Sequence, residues 1–204
     1  MNFDIRSMKQ RAKALMKTTS PNPKAVGIIF MLVLMLFYAS IIASCVTEKY
    51  IILLIAELVC MNFRNCSKLY GLKVSREEKT GVSDAFSAFK ESPVQMIILC
   101  VVKDICYAVG LCFLLVGAVV PFYCLRFSSQ IIKDEKVNAF KAMRRSSVLL
   151  KGHYIELFKL DMHVILHYIL FLCFCLNGFY VKPYAGILYA EFYDYLKACK
   201  EMTL

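Results

Sequence analysis

The chain consists of long apolar runs separated by short polar and charged connectors. Six runs predict helices that cross a membrane, over residues 25–46, 50–70, 94–116, 119–133, 154–176 and 182–199. The first run holds about 22 residues without a charge, and about 20 apolar residues suffice for a helix to cross a hydrocarbon core of about 30 Å. The pattern therefore predicts an all-α fold, a polytopic α-helical membrane protein with about six membrane helices as three hairpins.

Three further segments combine an apolar face with a polar or basic face, which is typical of helices that lie in the membrane interface. They cover residues 1–20, about 83–91 and about 137–150. In the first, Ile5, Ala12 and Leu15 fall on one helical stripe, and lysine and arginine occupy the rest of the surface. We expect residues 1–20 to form a basic amphipathic helix and residues 21–204 to form a single integral membrane domain.

The interval 94–133 is longer than one membrane helix needs, and it contains Gly117 and Pro121. As a single helix it would carry the basic block that follows, 133–151, to the outer side. As two helices hinged near Gly117–Pro121 it returns that block to the cytoplasm, the side to which lysine and arginine in short loops are biased. This bias favours two helices with both chain termini in the cytoplasm, and a single span is the alternative.

The first apolar run has two competing interpretations. A secretory signal has an apolar region of about 7–15 residues, and the run 25–46 is longer than that. A membrane helix is therefore favoured. Ile42-Ala43-Ser44-Cys45 nevertheless fits a lipoprotein cleavage pattern, so lipidation of Cys45 stays open.

Composition agrees with a membrane location, because 59% of the residues are hydrophobic, 20% are charged and the mean hydropathy is +0.59. A soluble domain has about 45–50% apolar and about 25% charged residues. The net charge of +10 could indicate a nucleic-acid partner, but the basic residues lie in separate blocks between apolar runs. We expect no nucleic-acid partner, and the basic blocks predict contact with anionic headgroups of the lipid bilayer.

The chain has 10 cysteines, none in a C-x-x-C pair, and most lie within apolar runs. A secreted disulfide framework is therefore not indicated, and free cysteine in such runs acts as a small apolar residue. Cys173 and Cys175 could ligate a soft metal, but their side chains point in different directions on a helix. We predict no bound metal and no cofactor.

Inserting a charged residue into a predicted membrane span costs about 2.5–3.5 kcal/mol of free energy, so each such residue needs a neutralising partner or a functional role. These residues are Glu57, Lys103, Asp104, Arg126 and Asp161. We predict that Asp104 neutralises Arg126 in an intramembrane charge pair, because both charges lie in the same hairpin. Snorkelling of Lys103 and Arg126 to the interface and a proton or ion pathway are the alternatives.

His163 and His167 share one helix face, a spacing that can hold a metal. The chain has only 3 histidines, so interhelical hydrogen bonding is the better interpretation. Lys151-Gly152-His153 lacks the first glycine and the strand of a phosphate-binding loop, and Gly152 is expected to end the surface helix. Catalytic motifs are not found in the polar segments, so we predict that the protein is not an enzyme.

Two short elements carry a resemblance to a known family. They are Lys151-Gly152-His153, and Pro183-Tyr184 followed by Phe192-Tyr193. In these elements the chain resembles a bacterial family of uncharacterised multi-pass integral membrane proteins, catalogued as a domain of unknown function. The resemblance implies a fold and a location in the cell membrane, but no activity. The family usually has a Pro-Gly break in its third apolar region, whereas here Gly117 and Pro121 are separated and reversed.

The sequence thus predicts a non-enzymatic integral membrane protein that acts through helix–helix contacts, as a scaffold, accessory or envelope-maintenance factor. A protein partner or a homo-oligomer fits this class. A small membrane transporter or transporter subunit is the alternative, because unwound backbone near Gly117–Pro121 can bind a substrate in mid-membrane. A membrane-embedded enzyme that acts on lipid is a third class, supported only by scattered acidic and histidine residues.

Overall fold

A computed structural model describes residues 4–19, 23–47, 50–112, 116–173 and 178–201. Within these ranges all regular structure is helical, so the predicted all-α class is confirmed. The α-helices are α1 Ile5–Thr18, α2 Pro23–Thr47, α3 Tyr50–Ser75, α4 Ser87–Glu91, α5 Pro93–Cys112, α6 Val116–Cys124, α7 Ser128–Glu135, α8 Ala139–Leu149, α9 Tyr154–Cys173 and α10 Gly178–Glu201. A 3-10 helix covers Val82–Phe86, directly before α4.

Helix α1 begins at a side-chain cap. The Asp4 carboxylate accepts hydrogen bonds from the backbone N–H groups of Arg6 at 2.9 Å and Ser7 at 3.3 Å, and such a cap contributes about 1 kcal/mol. Ala12 and Leu15 on the apolar stripe are buried, while most of the basic side chains are exposed. The apolar stripe of α1 is covered by protein, because α1 packs against α10.

Helix α10 is the centre of the bundle. It packs against α1, α2, α3, α8 and α9, and most extensively against α3. Large side chains are buried between Val181 and Leu196, namely Val181, Tyr184, Ile187, Leu188, Phe192, Tyr193 and Leu196. A helix that is apolar on most of its sides is a buried one, and α10 accordingly forms the middle of the hydrophobic core.

Helices α3 and α10 approach most closely at Gly71 and Gly186. A Cβ atom on Gly71 would overlap the backbone carbonyl of Gly186, and a Cβ atom on Gly186 would come within 2.9 Å of the Ser67 carbonyl oxygen. Small residues allow two helix backbones to pack this tightly. The crossing also keeps α3 helical to Ser75, beyond the predicted end near residue 70, because neighbouring helices still cover the backbone there.

The predicted helix over 119–133 is two helices, α6 and α7, joined by a turn over 125–127, which corrects the prediction. The two helices have 9 and 8 residues, so they extend only about 14 and 12 Å along their axes. Local hydrogen bonds favour the turn: the Arg126 N–H donates to the Tyr123 carbonyl at 3.2 Å, and the Ser128 hydroxyl donates to a carbonyl in the turn at 2.9 Å. Such side-chain bonds compete with helix continuation.

Three helices expose apolar side chains along their length. Leu36 on α2, Ile105 on α5 and Ile155 on α9 are 70%, 57% and 72% exposed. Further exposed apolar residues on these helices are Ile28, Leu32, Met35, Ile42, Val94, Val101, Val109, Phe158, Met162, Ile165, Leu166 and Ile169. Contiguous apolar surface marks a protein-binding or membrane-binding face. Within the described residues, α5 is the one helix that is long and apolar enough to cross a membrane, over Pro93–Gly110.

Candidate functional site

A buried ion pair joins Arg126, in the turn after α6, to Asp161 on α9. Nη2 of Arg126 lies 2.8 Å from Oδ1 of Asp161, and Nη1 donates to Oδ2 at 3.1 Å. This is the bidentate arrangement in which a guanidinium binds a carboxylate most strongly. The two side chains are only 13% and 6% exposed, so each charge depends on the other for neutralisation.

Neighbouring side chains enclose this ion pair. The Tyr189 hydroxyl donates to Oδ1 of Asp161 at 2.6 Å, and Cζ of Arg126 lies 4.1 Å from the centre of the Tyr189 ring and 5.0 Å from that of Phe122. Aromatic faces at these distances attract a cation. Lys68 on α3 donates to the Arg126 carbonyl oxygen at 3.2 Å. Elements from α3, α6, α9 and α10 therefore meet around one buried pair of charges.

In the structure the carboxylate that pairs with Arg126 belongs to Asp161 on α9. The sequence instead predicts Asp104, in the same hairpin as Arg126, as the partner. The sequence marks Asp161 as a charge that needs a partner but does not indicate which residue that partner is. Asp104 is half-buried on α5, and its predicted contact with Arg126 stays a prediction. The side chain of Glu57 lies outside the part that the structure describes.

A second set of charges, here named the Asp134 cluster, comprises Asp134, Arg76, Asp194, Tyr193 and Lys197. Arg76 donates from Nη1 and Nη2 to the two carboxylate oxygens of Asp134 at 2.8 and 2.7 Å. Nη2 of Arg76 also lies 2.7 Å from Oδ1 of Asp194. Lys197 and the Tyr193 hydroxyl both donate to Oδ2 of Asp134 at 3.2 Å. The cluster thus fastens the ends of α3 and α7 to α10.

Electrostatics favour the charged forms of Asp134 and Arg76. Burial on its own would raise the pKa of Asp134, but the hydrogen bonds and positive charges of Arg76 and Lys197 together outweigh burial and bring that pKa below its ordinary value of 3.8. The hydrogen bond with Asp134 in turn raises the pKa of Arg76. Sequence reasoning missed this pair, because the two residues are 58 positions apart and no local spacing relates them.

Helix α1 is held by a third ion pair. Nε of Arg11 lies 3.3 Å from the Glu191 carboxylate on α10, and Nη2 lies 3.6 Å from Glu77, just after α3. The Glu191 side chain is 11% exposed, whereas Arg11 and Glu77 are largely in the open. Exposed pairs contribute at most about 1 kcal/mol, so these contacts orient α1 on the bundle more than they stabilise it.

The histidines make contacts between and within helices. Nε2 of His163 on α9 lies 3.3 Å from the Tyr184 hydroxyl on α10, and the His163 and His167 ring centres are 4.3 Å apart. The first contact fits the interhelical hydrogen bonding that the sequence favoured over a metal. Nδ1 of His153 lies 2.6 Å from the Glu156 carboxylate. Among the described residues, no group of three or more histidine, cysteine or acidic side chains could hold a metal ion.

The residues that carry the family resemblance lie in an exposed turn after α8 and at buried positions on α10. Lys151 and Gly152 are exposed in the turn after α8, where Gly152 has φ 92°, a conformation that glycine adopts without strain. Pro183, Tyr184, Phe192 and Tyr193 are buried on α10, and the rings of Phe192 and Tyr193 lie 6.0 and 5.8 Å from that of Phe127. These are packing positions.

Comparison with known proteins gives no family model that matches the chain, and no curated protein or solved structure that is significantly similar to it. The family resemblance therefore stays a prediction that rests on the short elements quoted above. The geometry of the buried Arg126–Asp161 pair, of the half-buried Asp134 cluster and of the exposed apolar helix faces is what supports a function.

Proposed function

We propose that the chain is a polytopic integral membrane protein of the cell membrane, with both termini in the cytoplasm, and that it acts as a non-enzymatic scaffold, accessory or envelope-maintenance protein. The observation that carries the proposal is the distribution of polarity. Apolar side chains cover the outer faces of α2, α5 and α9, while charged groups pair inside the bundle. Contiguous exposed apolar faces are typical of surfaces that contact lipid or a partner protein.

The buried pair of Arg126 and Asp161 fits this environment. Asp161 lies 7 residues after the first residue of α9, Tyr154, which is about 10 Å along the helix axis. A charge at that depth in a bilayer is costly and faces the bundle interior, paired with an opposite charge. The ion pair gives each charge such a partner, and the exposed side chains of α9 beyond it, from Met162 to Ile169, are apolar.

A scaffold or accessory role is favoured over catalysis by what the buried polar groups do. Arg126, Asp161, Arg76 and Asp134 direct their charged atoms at one another and join four or more helices. Such contacts stabilise a fixed arrangement of helices, and they leave the outer faces for lipid or for the helices of a partner. A second copy of the chain or another membrane protein would bind there.

Transport is the second candidate, and one observation favours it. The return from α5 is broken at the turn 125–127, between α6 and α7, and this break lies at the buried pair of Arg126 and Asp161. Irregular backbone next to intramembrane charge is typical of substrate sites in transporters. Specific thermal stabilisation of the purified chain by a soluble metabolite would favour transport over a scaffold.

The membrane proposal is tested by extraction of cell membranes that contain the full chain. We expect the protein to stay in the pellet after washes with high salt and with alkaline carbonate, and to enter solution only with detergent. A peripheral protein held by its basic surface would be released by salt, because salt screens surface charge. Release of the chain by carbonate, or a monodisperse chain in the absence of detergent, would contradict integral insertion.

A further inference from the structure

A cavity of about 540 Å³ opens between α8 and α10, beside the Asp134 cluster. Its charged lining consists of Lys141, Arg144, Arg145, Lys197, Lys200 and Glu135. Five cations thus face the cavity together with one carboxylate. Cations from two different helices converge on one concave space, and a concave wall concentrates their field more than a flat basic surface does. The cavity is suited to an anionic group.

Three of these cations already have partners within the protein. Arg145 pairs with Glu135, Lys197 lies 3.2 Å from Asp134, and Lys200 donates to a backbone carbonyl of α8. Lys141 and Arg144 are exposed and have no ion pair with a carboxylate of the described residues. They stand three positions apart on α8, so their Cβ atoms are about 5–6 Å apart. A single phosphate group can contact both side chains.

Apolar side chains border the same cations. Phe140 and Val148 lie four positions before and after Arg144, on the same stripe of α8, and they are 67% and 45% exposed. The opposite face of α8, which includes Ala142 and Met143, is buried against the bundle. Cations flanked by exposed apolar residues are typical of a helix at the lipid interface. A soluble anion makes no contact with the apolar border. The glycerol and acyl parts of a lipid can pack against it.

We propose that this cavity binds the phosphate headgroup of an anionic phospholipid, with Lys141 and Arg144 as its main ligands and Phe140 and Val148 against the lipid body. The inference rests on the proposed membrane location and deepens it, because it replaces a general attraction to the bilayer with a site. Guanidinium and ammonium donors form charge-assisted hydrogen bonds with phosphate oxygens. The site would retain an anionic lipid on the cytoplasmic side of the bundle.

The test measures lipid binding to the full chain in a neutral detergent by native mass spectrometry. The probes are phosphatidylglycerol and phosphatidylcholine with identical acyl chains. We expect phosphatidylglycerol to bind the unmodified chain more tightly, and the double variant Lys141→Gln with Arg144→Gln to bind it about tenfold or more weakly, because charge-assisted contacts to phosphate are lost. Binding of phosphatidylcholine should be the same in both proteins.

A matched control removes two other exposed cations, with Lys79→Gln and Lys90→Gln, which do not line the cavity. This variant has the same net charge as the site variant and should keep the phosphatidylglycerol affinity of the unmodified chain. The charge-retaining variant Lys141→Arg with Arg144→Lys should keep it within about threefold. An equal loss in the control, or equal binding of the two lipids by the unmodified chain, would overturn the headgroup site.

A competition with glycerol phosphate separates a lipid from a free anion. We expect glycerol phosphate at the same concentration to leave phosphatidylglycerol bound, and displacement by it would overturn the assignment to lipid. The outcome is distinct from that of the membrane proposal, because carbonate-resistant insertion without lipid preference contradicts only the headgroup site. Release of the chain by carbonate contradicts the membrane proposal, whatever the lipid preference in detergent.

Discussion

Asp161 neutralises Arg126 in a place that water hardly reaches, so neither charge is stable there without the other. Substitution Asp161→Asn keeps the shape of the side chain and removes its charge. We expect the variant to lose about 3 kcal/mol of stability, because it leaves a buried guanidinium uncompensated. Thermal unfolding in detergent, followed by circular dichroism, measures the loss, and an unchanged melting temperature would contradict the assigned pair.

The matched control for this substitution is Asp104→Asn on α5. Asp104 is less buried than Asp161, so its substitution should cost less than about 1 kcal/mol. A loss as large as that of Asp161→Asn would instead show that Asp104 also neutralises Arg126, as the sequence predicts. The two variants together therefore show how much each carboxylate, Asp104 on α5 and Asp161 on α9, contributes to neutralising Arg126.

Asp134 gives the protein a predictable response to acid. Burial raises its pKa, but the hydrogen bonds and charges of Arg76 and Lys197 together lower it by more, and the net pKa lies below 3.8. A carboxyl group with a lower pKa in the folded state stabilises the fold above its unfolded pKa, and this contribution disappears as the pH falls through the folded pKa. We expect stability to decrease from about pH 4 downward, where unfolded aspartate begins to bind protons. Melting temperatures measured across this range should fall.

The variant Asp134→Asn isolates this contribution. It should be less stable than the unmodified chain at neutral pH, because Arg76 and Lys197 lose their shared carboxylate. Below pH 4 its melting temperature should vary less with pH than that of the unmodified chain. Parallel acid profiles of the two proteins would show that another carboxyl group carries the response.

Sequence reasoning at the residue scale could find charges but not their partners. Arg126 and Asp161 stand out in apolar runs, since an unpaired charge there is costly. Their pairing follows from how α9 packs beside the turn 125–127, which is a tertiary feature. Arg76 and Asp134 gave no signal, because both lie in polar stretches where charged residues are expected.

At the element scale, the crossing of α3 and α10 depends on two glycines. Substitution Gly71→Ala places a Cβ atom on the backbone of Gly186, which has no flexible end that could move away. We expect a loss of about 3 kcal/mol or partial unfolding, at the upper end for overpacking a tight interface. The melting temperature of the purified variant measures this, and Gly186→Ala should act in the same direction because of the Ser67 carbonyl.

Gly81→Ala is the control for these two variants. The nearest atom to a Cβ on Gly81 lies 3.7 Å away, and the backbone φ of −130° suits any residue. The change should alter stability by no more than about 0.5 kcal/mol. If Gly71→Ala and Gly81→Ala were equally mild, the close approach of α3 and α10 would not exist as described.

The elements themselves were largely predictable where apolar periodicity is long. The runs that became α2, α5 and α9 predict helices because their length and composition leave few alternatives. The break after α6 was not predicted, because it is produced by short-range hydrogen bonds of Ser128 and its neighbours within an apolar stretch. The buried polar side chains of Ser128 and Gln130 on α7 show that tertiary packing, not hydropathy, sets that part of the fold.

At the scale of the whole molecule, the all-helical class followed from the sequence, but the arrangement of the helices did not. The central position of α10 depends on contacts with α1, α2 and α3 from the start of the chain and with α8 and α9. Its last turns carry Asp194 and Lys197, which a hydropathy pattern assigns to a surface. In the fold these charges belong to the Asp134 cluster, so the polar end of α10 binds Arg76 after α3 and Asp134 on α7.

The central claim, that lipid solvates the apolar helix faces and that the basic helices lie in the cytoplasm, is tested most directly by labelling in intact cells. Three single variants, Glu48→Cys, Val119→Cys and Arg144→Cys, are treated with a membrane-impermeant thiol reagent, and labelled peptides are identified by mass spectrometry. We expect labelling at positions 48 and 119 in intact cells, and at position 144 only after the cells are opened. Labelling of position 144 in intact cells would contradict the claim.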